Sequence, residues 1–293
     1  MITAQSGEDL LTALRIAHHE WRPLLALVEE ALREVERPEW RDAVPAIAHP
    51  DSGPEPLLSR VVITLARRPI ERWVRRVIAT AAGVAPATPF ADAASAERID
   101  RVSFFQAAVA QDVEHLDGIA RGVGDTRGIL KGLAPLIAMP LLQACRRAWA
   151  DRMLGAWPHG SCRTCGAWPT LAEIRGLDGA RHLRCRCCGG DWATEWLRCP
   201  FCGERDHTQL GSLVSADGLE REKIEVCDRC HGYLKTLTTF DPIRPEQVVL
   251  HDLATVVLDV AAVERGYRPP RPRSPLAVRI VARRSGLRAL LSR

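Results

Sequence analysis

The sequence predicts an α+β protein: an N-terminal helical bundle, then two tandem four-cysteine modules of the rubredoxin-like or zinc-ribbon kind, then a C-terminal helix. Three observations carry this. Apolar residues recur at spacings of three and four over the first half of the chain. Nine of the ten cysteines fall between Cys162 and Cys230. Short segments suited to two-residue-period hairpins, rich in glycine, surround those cysteines. The expected organisation is a helical domain over 1–156 and metal-binding modules over 157–245. A helix packed on the body follows over 246–268, then a basic tail over 269–293 with the composition of a flexible segment.

In the helical half, Leu10, Leu14, Ala17, Trp21, Leu24, Val28, Leu32 and Val35 form one apolar stripe. Pro23 interrupts it, which predicts a kink or a fresh helix start. Residues 48–55 have the chemistry of a loop. A second stripe runs from Leu58 through Leu65 and on past Pro69 to Ile78. A third helix is expected from Asp100 to about Arg121. A fourth is expected from Gly128 to Met153, interrupted near Pro135 and Pro140. Cys145 lies on its apolar part and reads as a core residue. Beyond the cysteines, a helix is expected at His251–Glu264 with Leu253, Val256, Val257 and Val260 facing the core. Arg268–Ser274 reads as a linker, and Leu276–Arg293 as a short basic amphipathic helix.

Composition narrows the function. The chain has 293 residues, 46% hydrophobic, so it is globular rather than disordered. No run of eighteen uncharged apolar residues occurs, and the first residues lack a basic region followed by an apolar stretch. These features predict a soluble cytoplasmic protein without a membrane span. The net charge is +4, but eight arginines and no acid lie from Arg268 onward, leaving the rest at −4. A mildly acidic body argues against a nucleic-acid-binding one.

The chemistry lies in four Cys-x-x-Cys pairs: Cys162 and Cys165, Cys185 and Cys188, Cys199 and Cys202, Cys227 and Cys230. Two intervening residues let a tight turn aim both sulfurs at one ion, and a following glycine supplies positive φ. Nineteen residues separate Cys165 from Cys185, and 24 separate Cys202 from Cys227. Either stretch can form a hairpin that returns the second knuckle to the first. Sequential pairing gives one site from Cys162, Cys165, Cys185 and Cys188, and a second from Cys199, Cys202, Cys227 and Cys230. Pairing the first knuckle with the third is the alternative. Cys187 competes with Cys188, but only Cys188 keeps the spacing and the following glycine. Two metal ions per chain are expected, and four thiolates suit iron or zinc. With four sulfurs per site no position is left for a reacting water, which argues against hydrolytic zinc chemistry. No nucleophile, base and orienting group can be assembled from the sequence, so no enzyme activity is expected.

Around these knuckles the sequence resembles the formate dehydrogenase accessory (FdhE) family. The likeness rests on Cys162-Arg-Thr-Cys165-Gly166, Leu183-Arg184-Cys185, Trp196 before Arg198-Cys199, and Glu225-Val226-Cys227-Asp228-Arg229-Cys230. It continues through Tyr233-Leu234-Lys235, Asp252-Leu253-Ala254, Leu258-Asp259 and Gly266-Tyr267. Two departures are His251, where an acid is common, and Arg163, where proline is usual. The resemblance implies a cytoplasmic maturation factor that binds the catalytic subunit of formate dehydrogenase. It also implies the eight knuckle cysteines as ligands, and favours rubredoxin-like iron over zinc.

Two further readings compete. A zinc-ribbon nucleic-acid binder would use the basic tail, but residues 160–245 are not strongly basic and hold no aromatic-basic stripe. A rubredoxin-like electron carrier would need iron that cycles between two oxidation states. Trp192 and Trp196 are expected to cover the sites. His18, His19, His115 and His231 read as surface or core histidines, and Gly122–Gly128 as a helix–helix turn.

Overall fold

The computed structural model describes residues 7–47, 55–84, 88–95, 98–153, 157–214 and 221–283. In chain order the elements are α1 (Gly7–Ala17), α2 (Arg22–Val35), α3 (Pro38–Arg41), β1 (Val62–Ala66), α4 (Arg67–Val84), α5 (Pro89–Ser95), α6 (Arg101–Ala110), α7 (Val113–Gly122) and α8 (Ile129–Ala148). Then come β2 (Leu171–Arg175), β3 (Ala180–Arg184), β4 (Asp191–Ala193), β5 (Leu210–Val214), β6 (Glu222–Cys227), β7 (Gly232–Thr239), α9 (Val248–Ala254), α10 (Val256–Glu264) and β8 (Arg279–Arg283). The mixed α+β class is as expected. The chain divides into two compact units, each interrupted in sequence.

One unit comprises residues 22–50, 58–148 and 274–293. Helix α2 starts beside Pro23, where the missing N–H costs nothing. Helix α8 is the core element, with Leu130, Ile137, Leu141, Leu142 and Cys145 fully buried. It runs unbroken through Pro135 and Pro140, contrary to the interruption expected there. Each proline removes one backbone hydrogen bond, but burial on nearly every side holds the helix. It is the one described helix long and apolar enough to cross a membrane, and it is mostly buried inside this unit. Trp73 on α4 is fully buried and donates from Nε1 to the Ile137 carbonyl at 3.0 Å. Burial pushes the Cys145 thiol up to about 12, as suits an inert core residue.

Three further sequence expectations fail in this unit. The segment expected to begin the second helix contains a strand, β1, whose residues alternate exposed and buried with Ile63 and Leu65 inside. Leu58, Val61 and Leu65 fit a helical spacing, so the two periods compete over a run this short. The expected helix over 100–121 is two helices. Gln111 adopts a left-handed conformation that ends α6, and Asp112 caps α7 by accepting from the His115 N–H at 3.0 Å. Finally, the basic tail returns as β8 and pairs with β1 in parallel, Val62 opposite Arg279 through Ala66 opposite Arg283. The expected loop at 48–54 and the end of the tail, 284–293, lie outside the described residues.

The other unit comprises residues 1–21, 51–57 and 149–273. The N-terminal helix thus belongs with the cysteine-rich part, not with the helical domain expected over 1–156. The sheet order is β4-β3-β2-β7-β6-β5. Neighbours are antiparallel except β2 and β7, which pair in parallel with Leu171 opposite Lys235. Each knuckle–hairpin–knuckle repeat supplies three strands, and the parallel pair fuses the two repeats into one sheet. The helix expected at His251–Glu264 is two pieces that meet at Thr255. Leu171, Leu237, Ile243 and Val248 form one apolar cluster. Ile224, Val226, Tyr233 and Ala262 form another. Val257 and Val260, expected in the core, are more than half exposed. Ala262 takes the buried place instead, because the break at Thr255 resets the helical phase.

A buried cation ties these helices to the sheet. Lys235 is 2% exposed, and its Nζ donates to Asp252 Oδ1 at 2.6 Å, the Asp252 carbonyl at 2.8 Å and Asp259 Oδ2 at 2.7 Å. All three ammonium protons are used. Tyr233 donates its hydroxyl to Asp259 Oδ1 at 2.9 Å, and Arg186 donates to Asp252 Oδ2 at 3.0 Å. Removing one partner of a buried pair is costlier than the pair is worth. Lys235→Met should therefore destabilise this unit by about 3 kcal/mol, read as a lower urea midpoint at constant metal loading. An unchanged midpoint would show that the network does not anchor α9 and α10.

Candidate metal centres

Each of the first three knuckles begins with a cysteine whose carbonyl accepts from the N–H four residues on. Gly166 bonds Cys162 at 2.8 Å, Gly189 bonds Cys185 at 2.9 Å and Gly203 bonds Cys199 at 3.0 Å. These three glycines have φ of 68°, 71° and 78°. In the fourth knuckle the position falls on His231, with φ of 55°. The turn is thus kept without its glycine, at some conformational cost. The next residue is a glycine for a steric reason in both modules. A Cβ on Gly190 would lie 2.8 Å from Cys162 Sγ, and one on Gly232 would lie 3.2 Å from Cys230 Sγ and 2.8 Å from the Phe201 ring.

The turns bring the sulfurs together sequentially. Cys162, Cys165, Cys185 and Cys188 form one cluster, and Cys199, Cys202, Cys227 and Cys230 the other. Within each, all sulfurs lie within 4.8 Å of one another. Pairing the first knuckle with the third is excluded. Cys162 and Cys188 are 3.4 Å apart, and Cys165 lies 3.6 Å from both Cys185 and Cys188. In the second cluster the Cys199–Cys230 and Cys202–Cys227 separations are both 3.7 Å. Four sulfurs at 2.3 Å from a central ion stand about 3.8 Å apart, so both clusters fit a tetrahedral ion. Cys188, not Cys187, completes the first.

Electrostatics agrees with an ion. Hydrogen bonds from Cys162 and its neighbours hold the Cys185 thiol well below its ordinary value. Interaction with Cys162 first, and burial besides, pushes Cys165 and Cys188 well above theirs. Ionising all four in a buried site needs a positive charge at its centre.

The two sites differ in access. All four cysteines of the first are buried. In the second, Cys202 is exposed and Cys230 partly so. Trp192 is buried beside the modules and donates from Nε1 to the His159 carbonyl at 3.2 Å. Trp196 is half exposed, donates to the Gly179 carbonyl at 2.9 Å, and shares a cavity wall with Cys199 and Cys227. It flanks the second site without closing it.

One feature of the surroundings had no sequence signal. Glu173 is fully buried between Arg175 and Arg184, and accepts from the Ile243 N–H at 2.7 Å. Arg175 and Arg184 also approach Asp191. Burial opposes the charge on Asp191, but His182 and these arginines outweigh it and bring the carboxyl down to about 2. These charges come from three strands, so no local spacing marks them.

The fold and its clusters define a class: proteins that join a helical unit to a twin four-cysteine module sharing one sheet. The comparisons agree. Residues 197–274 match the family model described as FdhE, C-terminal domain. A protein FdhE homolog of Shewanella baltica is 35% identical over 36% of this chain and 35% of its own length. One from Stutzerimonas stutzeri is 35% identical over 40% and 38%. The chain thus spans little more than a third of the length of these relatives. A homolog of Edwardsiella ictaluri is 27% identical over 77% of this chain and 71% of its own. The crystal structure of the FdhE protein from Pseudomonas aeruginosa matches with a TM-score of 0.51 and 26% identity, over 92% of this chain and 93% of that one. The resemblance to the FdhE family is therefore shown in sequence and in fold.

Two outcomes follow from the geometry. Gly190→Ala should cost the protein one bound metal per chain, because the added methyl meets Cys162 Sγ; metal analysis of the purified variant checks this. In metal-depleted protein, iodoacetamide should modify Cys202 well before Cys165, as mass spectrometry of the labelled peptides would reveal.

Proposed function

We propose that this chain is a formate dehydrogenase accessory protein that binds the enzyme's catalytic subunit in the cytoplasm during assembly, and is not itself an enzyme. The observation that carries the reading is a pair of complete four-sulfur sites within one continuous sheet, in a chain that resembles FdhE. A site with four sulfurs has no open position for substrate, so its ion stiffens a surface rather than turning over a reactant. The eight cysteines Cys162, Cys165, Cys185, Cys188, Cys199, Cys202, Cys227 and Cys230 are the proposed ligands of two ions. Iron is favoured by the resemblance, with zinc as the alternative donor-compatible ion.

Metal analysis of anaerobically purified protein should give two ions per chain. Ferric iron would colour the protein red and bleach on reduction, whereas stoichiometric zinc would leave it colourless. A strain lacking the gene should make the formate dehydrogenase polypeptide but fail to oxidise formate. The wild-type gene should restore activity and a Cys165→Ser or Cys227→Ser variant should not. Full activity in the deletion strain, with no related gene present, would refute the accessory role. Salt-sensitive binding of the purified protein to nucleic acid would favour the zinc-ribbon reading in its place.

A further inference from the structure

The six-stranded sheet ends on β5, Leu210–Val214, whose sequence Leu-Gly-Ser-Leu-Val holds neither charge nor proline. Those are the usual protections of an edge strand. The opposite edge, β4, is only three residues long. Register fixes which groups of β5 are free. Leu210 faces Cys227 and Ser212 faces Glu225. The Asp228 N–H donates to the Gln209 carbonyl at 2.9 Å. Hydrogen-bonded pairs alternate along an antiparallel ladder, so residues 209, 211 and 213 bond to β6. The N–H and carbonyl groups of Leu210, Ser212 and Val214 therefore point away from the sheet. The Leu210 N–H is taken up by the His207 carbonyl. Among the described residues no backbone partner outside the sheet takes up the Leu210 carbonyl or the groups of Ser212 and Val214.

Leu210 and Ser212 also line a cavity of about 240 Å³ on one face of the sheet. Its apolar wall includes Trp196, Phe201 and Leu234. Its charged groups are Arg181, Arg198, Lys223 and Glu225, an excess of cations. Glu225 is engaged by Arg181 at 2.6 Å. Arg181 is buried, and its Nε has no hydrogen-bond partner. The Lys223 ammonium lies 5.5 Å from the Trp196 ring centroid and, among the described residues, meets no acid.

We propose that β5 receives an extended segment of a partner polypeptide as a seventh strand, with a large apolar side chain in the cavity and an acidic residue on the same face towards Lys223. The free N–H and carbonyl groups supply the backbone recognition, and alternate side chains of the added strand supply the specificity. The excess of cations selects an acidic segment. The inference rests on the accessory reading for the identity of the polypeptide, an unassembled catalytic subunit, but not for the edge itself.

The test uses full-length, metal-loaded protein and a displayed library of ten-residue peptides as the probe. Selected peptides should carry a large apolar residue with an acid two positions away. They should bind Ser212→Ala as they bind the wild type. Ser212→Pro removes an outward N–H without touching the ladder to β6, and should weaken them tenfold or more. Amide exchange along β5 should slow on binding. Lys223→Glu leaves the backbone intact and should turn the selected sequences from acidic to basic, which decides the matter even if Ser212→Pro loses its metal. Equal affinity of folded Ser212→Pro, no selectable peptide, or a preference unmoved by Lys223→Glu would overturn the proposal. So would a dimer of this chain that Ser212→Pro dissociates, since the edge would then serve self-pairing. Peptides that meet these criteria but do not compete with the catalytic subunit would keep the edge site and remove the proposed client.

Discussion

Four sulfurs held within 4.8 Å of one another are the constraint on which the cysteine-rich unit depends. Four buried thiolates repel one another strongly, and only a cation among them makes the arrangement favourable. The ordering of each knuckle follows. The chain must reverse tightly enough to present two sulfurs, which sets the positive φ at Gly166, Gly189, Gly203 and His231. It must then leave without striking those sulfurs, which sets Gly190 and Gly232.

The knuckles alone would give two small modules, each with little apolar area to bury. The parallel pairing of β2 with β7 joins them, so that one sheet carries both sites. Helices α9 and α10 then cover part of that sheet through the clusters around Val248 and Ala262. Lys235 fixes their position by directional bonds that an apolar contact could not provide. Fusion leaves one long edge unpaired, at β5. The edge and the cavity beside it are by-products of the same topology that builds the metal sites.

The sites were more legible than the fold around them. Cys-x-x-Cys spacing acts over four residues, and the geometry it imposes is local, so all eight sulfurs could be read directly. Sequential grouping was the simpler of two pairings, and the structure chose between them. The order of strands could not. Nothing near Leu171 indicates that its neighbour is Lys235, because parallel pairing is decided by register across 63 intervening positions. The strand β1 was hidden for a different reason: five residues support a period of two and a period of nearly four almost equally well. Val257 and Val260 misled because a helical stripe was carried across Thr255, where the helix in fact restarts.

The sequence by itself determined the α+β class, the tandem cysteine repeat and the eight cysteines of the four knuckles. These depend on short-range turn chemistry and on the periodicity of apolar residues. Only the tertiary structure decided that the N-terminal helix belongs to the cysteine-rich unit and that the basic tail closes a parallel pair with β1. It also decided that the first site is buried while Cys202 of the second stands exposed. Those outcomes turn on which distant segments exclude water from one another, and a linear sequence carries that information in no single position.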